Sequence, residues 1–317
     1  NKNTTALIVA DGTEVIKANA FELAKNVAEI SLPASLAEIQ GNALDNTAWF
    51  KNASGLVYAG KILYKVKGAI ANVVVEVPAI SEATRMYLTE NNPKKPVISS
   101  ACPAIVRLIR VCFPELLENI LPITAPVDEA GRLAREKAMK ITGLKAEEIG
   151  VFFISPCPAK ITAIKEPIGI EKSHVDGAIA INDIYPVLLK AMEKHSEYDE
   201  LKALHESGVI GISWATSGGE ASGTLNDNAL AADGIENCMK ILEEVERGNL
   251  DSVDFIELNA CQGGCVGGSL TSENPFIAKS RLMKLRKYSP ISCNHLSSKE
   301  VPQELLCTEP IEARDDV

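Results

Sequence analysis

Four cysteines fall in three loops of a common kind. The first loop reads Pro96-Val97-Ile98-Ser99-Ser100-Ala101-Cys102-Pro103, and the second reads Phe153-Ile154-Ser155-Pro156-Cys157-Pro158-Ala159-Lys160. The third reads Glu257-Leu258-Asn259-Ala260-Cys261-Gln262-Gly263-Gly264-Cys265-Val266-Gly267-Gly268. Each follows a short run rich in Val, Ile or Phe, which has the character of a strand. Sites in open α/β sheets form just beyond the carboxyl ends of strands. Three such loops can therefore deliver Cys102, Cys157, Cys261 and Cys265 to one place. Four thiolates are what a [4Fe–4S] cube requires. Gly264 and Gly267, lacking side chains, let backbone N–H groups approach the sulfurs and tune the centre. A four-cysteine zinc site is the rival, although its usual paired Cys-x2-Cys knuckles do not occur here. Taken singly, a Cys-Pro after a strand is more often a buried structural thiol.

The other residues that could ligate are less informative. Cys112 and Cys238 read as core thiols. Cys293 and Cys307 lie in the C-terminal stretch, as free thiols or as ligands of another cluster shared with a segment not present. His174, His195, His205 and His295 stand far from any ligand spacing.

The elements that must position these loops alternate along the chain. Strands are expected at 6–10, 27–31, 72–77, 96–99, 151–154, 178–181, 209–212 and 254–258. Helices are expected at 14–26, 51–65, 81–89, 104–110, 129–142, 184–194, 234–246 and 278–287. Apolar runs without strict alternation suit strands covered on both faces. The alternation implies an α/β fold of two lobes, with mostly parallel twisted sheets flanked by helices and the metallocluster in the cleft between them. The Pro-containing stretch Leu121–Pro126 suggests a first lobe over 1–126 and a second, with the cluster-binding loops, over 127–288. Residues 289–317 read as an extended or mobile extension. No internal repeat is evident.

Composition narrows the function. The 317 residues are 46% hydrophobic, which excludes a mainly disordered chain. A net charge of −10 argues against nucleic acid as a partner, because a phosphate backbone needs a basic face. No apolar stretch is long enough for a membrane span. The apolar run near the start is too short for a convincing signal peptide, so a cytoplasmic location is the expectation.

The three loops together resemble the signature segments of the [FeFe]-hydrogenase active-site domain. Ser99-Ser100-Ala101-Cys102-Pro103 is similar to Thr-Ser-Cys-Cys-Pro, and Ser155-Pro156-Cys157-Pro158-Ala159-Lys160 to Met-Pro-Cys-x-x-Lys. Glu257 to Gly268 is similar to Glu-x-Met-x-Cys-x-x-Gly-Cys-x-x-Gly-Gly. Val175–Ile184 and Ala215-Thr216-Ser217-Gly218-Gly219 resemble further family segments, so the likeness extends over roughly 27–288. The resemblance implies an H-cluster. This is a [4Fe–4S] cube on Cys102, Cys157, Cys261 and Cys265, joined through Cys265 to a diiron subcluster with CO, cyanide and azadithiolate. It gives Lys160 the role of donor to a cyanide ligand. It further implies H2 and protons as substrates, and an electron-transfer partner or a ferredoxin-like domain not present.

Departures from the family pattern are equally specific. Ala101 stands where active members have a proton-relaying cysteine. Glu82 matches an upstream relay carboxylate, but Arg85 replaces a second one, and arginine stays charged. Ser155 and Asn259 replace methionines that flank the cluster. These changes resemble the divergent branch of the family read as sensory. The implied activity is slow, reversible heterolytic H2 oxidation and proton reduction, serving H2 or redox sensing. The alternative is a non-catalytic [4Fe–4S] protein of the hydrogenase-like assembly-factor type, without the diiron unit.

Overall fold

A computed structural model describes residues 4–52, 55–59, 62–67, 77–90, 92–194, 209–287 and 305–314. The chain divides by its internal contacts into two compact units. One comprises Asn1–Ala71 with Ala138–Ile149, the other Asn72–Lys137 with Gly150–Val317. This division falls elsewhere than at residue 126. The reason is a sheet that uses strands from both sides of that position.

The first unit is built by short parallel pairings at a fixed separation. Strand β1 (Ala6–Ile8) pairs with β3 (Glu29–Ser31), and β2 (Val15–Ile16) with β4 (Glu38–Ile39). Ala6 lies opposite Glu29 and Val15 opposite Glu38, so both pairings join residues 23 apart in sequence. Two coils of the chain are thus stacked. Helix α1 (Ala48–Asn52) follows, then an antiparallel hairpin of β5 (Gly55–Ala59) and β6 (Ile62–Lys67). Ile16, Leu36, Ala43, Leu44 and Ala59 form the buried interior, with Leu7, Phe21, Ile30 and Ile39 packed around them. The helices expected at 14–26 and 51–65 are not formed. Asn19 (φ 59°) has left-handed backbone in the middle of 14–26, which interrupts a helix there. The spacing is also an internal repeat, which the sequence pattern did not reveal.

The second unit is an α/β fold with parallel sheets flanked by helices. Its chain order is α2 (Val77–Glu90), β7 (Val97–Ile98), α3 (Pro103–Cys112), α4 (Pro126–Thr142, which continues into the first unit), β8 (Phe152–Ser155) and α5 (Pro158–Lys165). Then come β9 (Gly177–Ala180), α6 (Ile181–Lys194), α7 (Val209–Ser213), α8 (Gly219–Gly223), β10 (Ala229–Asp233), α9 (Ile235–Glu246), β11 (Phe255–Asn259) and α10 (Pro275–Lys287). Strands β10, β11 and β7 form one parallel sheet, and β8 and β9 another. Phe255, Ile256, Glu257 and Leu258 of β11 are all buried, as a central strand covered on both faces should be. Ile98, Ile105, Ile109, Leu242 and Ile256 pack into one core cluster.

Several expectations change. Residues 209–212 are helical rather than a strand, β10 was not foreseen, and the strand expected at 72–77 lies outside the described residues up to 76. The final segment is packed where it is described. Leu305 is 2% exposed, and its carbonyl accepts the Thr124 N–H at 2.7 Å. Further on, the Glu309 N–H donates to Gly169 O and the Arg314 N–H to Arg110 O. Among the described residues no helix is long and apolar enough to cross a membrane.

Candidate metal centre

Two of the three loops share one local design. Cys102 is the N-cap of α3 with Pro103 following, and Cys157 is the N-cap of α5 with Pro158 following. Proline suits the first helical position, where its missing N–H is not needed. The cysteine before it is held extended and outside the helix. Each of these cysteines therefore lies at a helix N-terminus, and for Cys157 the backbone N–H groups of Ala159 and Lys160 help to lower the thiol's pKa. Ser155 fixes the second loop from within. Its hydroxyl donates to Cys157 O at 2.8 Å and accepts the Cys157 N–H at 3.2 Å.

The third loop depends on glycine. Gly264 has φ of 90°, and a Cβ there would sit 2.5 Å from Ser217 N. A Cβ on Gly268 would meet Pro156 O at 2.2 Å, and one on Gly267 would meet Gln262 O at 1.9 Å. Only bare backbone lets this loop lie so close to both the Ala215–Gly219 turn and the Cys157 loop. Ser217 N–H donates to Gly263 O, and Leu270 N–H to Pro156 O, which locks these approaches. Cys265 opens a short 3-10 turn, Cys265–Gly267.

The four thiols and one cation meet. Lys160 Nζ lies 3.8 Å from Cys265 Sγ. As a residue Lys160 is half-buried, but its ammonium is closely surrounded by protein. Burial pulls that ammonium's pKa down. The charges of Cys265, Cys102 and Cys157 outweigh it and hold it above the ordinary lysine range. Cys157 is pulled down to about 5, chiefly by the hydrogen bond shared with the Cys261 thiol and further by Lys160. Cys261 is pushed up by the same bond. One proton is thus shared by that pair. Burial pushes Cys265 up, while Lys160 opposes it. Among the described residues no three Cys, His, Asp or Glu side chains converge tightly enough for a single metal ion. A tetrahedral zinc site needs four ligands within about 2.3 Å of one point. The donor set itself, four thiols, is the one a [4Fe–4S] cube requires.

The remaining expected site residues are placed differently from one another. Glu82 is 7% exposed and held by Arg85, whose Nε donates to its Oε2 at 2.9 Å and whose Nη2 meets its Oε1. A carboxylate clasped at both oxygens by a guanidinium acts there as an acceptor. Ala101 offers only its N–H, which donates to Ser99 Oγ at 3.1 Å. Asn259 Nδ2 donates to Glu257 Oε1 at 2.7 Å. The polar groups of Ser155 and Asn259 are therefore engaged within the protein.

A buried acid pair was missed. Glu220 and Glu257 are each 3% exposed and interact directly. Glu257 accepts from Gly218 N–H (3.0 Å), Ala221 N–H (2.9 Å) and Asn259 Nδ2. Burial pushes Glu257 up, and these donors, with the Glu220 N–H, oppose that by favouring its charged form. Glu220 Oε2 lies 2.5 Å from Ser99 Oγ. Burial first, and then the Glu257 charge, push Glu220 up to about 8, against the Ser99 hydrogen bond and the Lys160 charge. The only sequence signal was the matched Glu257. Nothing in Gly218-Gly219-Glu220 marks the second acid as buried.

The other cysteines divide. Cys238 is fully buried, with its Sγ 3.3 Å from Asn259 O, as a core thiol should be. Cys112 is exposed, at the last position of α3, so the core assignment fails there. Cys307 packs against Gly169, and burial pushes its thiol up to about 11. Cys293 lies outside the described residues.

Comparison with known proteins agrees with this arrangement. The model of the family described as "Iron only hydrogenase large subunit, C-terminal domain" matches residues 69–226 and 190–269. The match starts well after residue 27, so the part of the first unit before residue 69 lies outside it, while residues 138–149 fall within it. Iron hydrogenase 1 of Clostridium pasteurianum is 25% identical over 249 residues, covering 64% of this chain and 43% of the relative. A probable cytosolic Fe-S cluster assembly factor, oxy-4 of Caenorhabditis elegans, is 24% identical over 244 residues, covering 62% of this chain and 53% of the relative. The chain thus spans about half the length of these curated relatives. Among solved structures, a HydA(deltaEFG) structure on stepwise [FeFe]-hydrogenase H-cluster assembly superposes with a TM-score of 0.53 at 14% identity. It covers 77% of this chain and 83% of that one. An apo variant of [FeFe]-hydrogenase HydA1 from Chlamydomonas reinhardtii gives 0.53 at 13% identity, with the same coverages. With its three cysteine loops and most of its length matched, the chain belongs to the iron-only hydrogenase family, matching the C-terminal domain of its large subunit.

Proposed function

We propose that Cys102, Cys157, Cys261 and Cys265 hold a [4Fe–4S] cube, and that Cys265 also bridges to a diiron unit carrying CO, cyanide and azadithiolate. The observation that carries this reading is the Lys160 ammonium set 3.8 Å from Cys265 Sγ, with the Cys102 and Cys157 charges also acting on it. A cation buried beside the bridging sulfur is suited to donate to an anionic ligand in a dry pocket. When bound, the diiron unit supplies heterolytic splitting and formation of H2. The chain's own residues position it, exclude water and handle protons. The backbone N–H groups at the start of α5 help to hold Cys157 as a thiolate, and the glycines let the third loop lie close against the Ala215–Gly219 turn and the Cys157 loop.

Proton handling passes to other residues. Ala101 has no side-chain proton, and Arg85 occupies Glu82. Glu220 is raised beside Glu257 and accepts the Ser99 hydroxyl proton at Oε2, and this hydrogen-bonded pair, whose Ser99 lies three residues before Cys102, is the buried acid–hydroxyl link through which a proton would have to exchange. One buried acid and one hydroxyl make a slow supply. We read the activity as low-rate, reversible H2 oxidation and proton reduction, in the service of H2 or redox sensing.

The test is infrared spectroscopy of protein matured anaerobically. CO and cyanide stretches are expected, and Cys265→Ala should abolish them. Their retention in that variant would remove Cys265 from its bridging role. A cube seen by electron paramagnetic resonance after reduction, with no such stretches, would favour the non-catalytic reading. The similarity to the assembly factor keeps that reading open.

A further inference from the structure

We infer that the first unit pairs end to end with the first unit of a second copy of the chain, through the open end of its stacked coils. The two ends of the stack differ. At the far end the chain itself lies on the second coil: β6 packs on β4, and the Trp49 N–H donates to Val27 O at 2.7 Å. At the near end, among the described residues, β1 pairs only with β3 and β2 only with β4. Alternate residues of a parallel strand turn their backbone groups to opposite neighbours. Thr5 O accepts the Glu29 N–H, and the Val9 N–H donates to Ser31 O, so Thr5, Leu7 and Val9 face the second coil. Glu14 O and Ile16 O accept the N–H groups of Glu38 and Gln40 in the same way. Ala6, Ile8 and Val15 therefore turn their N–H and C=O groups to the open end. All three residues are exposed.

The side chains at that end point the same way. Ile8 is 81% exposed and Val15 40%. The second coil supplies a comparison within the same fold, because Ile8 lies opposite Ser31 and Val15 opposite Glu38. At matching outward positions the second coil thus carries a hydroxyl and a carboxylate, and the first carries hydrocarbon. A bare strand edge is a template for further pairing, and charged residues are the usual means of blunting it. The first coil lacks that protection at these two positions. The ends also select the occupant. With one end already occupied by its own chain, the stack cannot grow head to tail. Two open ends can meet about a two-fold axis, with their strands antiparallel, and that contact closes at two copies. It continues from one copy into the next the ladder by which the coils already stack. Each outward side chain then gains a cross-strand neighbour. The metal centre takes no part in the contact.

The test is sedimentation of the full chain over a range of concentrations. The mass should rise from one chain to two and stop there. Salt should not weaken the pairing, because the contact is apolar and hydrogen-bonded and each copy carries a net charge of −10. Ile8→Ser with Val15→Glu gives the first coil the residues that the second carries at those positions, so the coil should still form, and circular dichroism checks this. That variant should weaken pairing roughly tenfold or more. Should it misfold, hydrogen exchange of the unaltered protein decides: the Ala6, Ile8 and Val15 amides should exchange more slowly as concentration rises. Phe276→Ser, which removes a side chain 64% exposed on α10, should leave pairing intact. A single-chain mass at every concentration, growth beyond two copies, or equal pairing by the double variant would overturn the inference. So would pairing that salt or Phe276→Ser abolishes, or amide exchange indifferent to concentration.

Discussion

At the scale of single residues, the decisive feature is a proton held where water does not reach. Glu220 and Glu257 are buried together, and the donors around Glu257 favour its charged form. The Glu220 carboxyl is raised from an ordinary 4.5 to about 8. The folded state therefore binds more protons than the unfolded state between those values. Stability from this group is fully present below about 4.5 and is lost as pH rises through about 8. Glu220→Gln should flatten that decline, measured as the denaturation midpoint against pH. In the unloaded protein it should also remove a protonated-carboxyl C=O stretch from the infrared spectrum. Loaded protein should lose H2 evolution by about a hundredfold, the lower range of a removed general acid. An unchanged rate with the stretch removed would take Glu220 out of the proton supply. The cysteines were legible in the sequence because cysteine chemistry constrains residue type and spacing. Glu220 was not, because its burial comes from α8 packing on β11, which no local pattern announces.

At the scale of elements, pattern reading succeeded where local and long-range forces agree. Helices α3, α4 and α9 and strands β7, β8 and β11 fall close to their expected places, whereas α5 was not expected. It failed where a non-local ladder won. Val15, Ile16, Ala20, Phe21 and Ala24 have helical spacing, yet each coil pairs with the next one 23 residues on. Leu7 faces Ile30 and Ile16 faces Ile39, a repeat carried by residue class and not by identity. The tail misled for a different reason. Leu305 is its main buried anchor, and the rest is tied by backbone and arginine hydrogen bonds to residues 110, 122 and 169. Backbone bonds leave no trace in composition. Leu305→Ala should cost about 2–5 kcal/mol in chemical denaturation, as a filled core position does. Its neighbour Leu306 is 55% exposed, and Leu306→Ala should cost under about 0.5 kcal/mol. Equal small losses at both positions would mean that the segment is not seated as described.

At the scale of the whole molecule, the chain has more than one independent interior. Ile16, Leu36, Ala43 and Leu44 close the first unit. Ile98, Ile105, Ile109, Leu242, Ile256 and Leu258 form a separate cluster in the second, and strands β7 and β11 of that cluster lead into the cysteine loops. The family match runs from residue 69 to 269, so it takes in most of the second unit and little of the first. Cluster binding should therefore stabilise the second unit, because a bound group adds its binding free energy to the state that holds it. Leu44 is fully buried, so Leu44→Ala should lower the stability of the first unit by about 2–5 kcal/mol. Calorimetry of loaded and stripped protein should then show two transitions. Loading should raise one, the substitution should lower the other, and iron content should stay unchanged. A single transition moved by both changes, or iron lost on substitution at Leu44, would show that the first unit is a structural part of the metal centre and not a separate module.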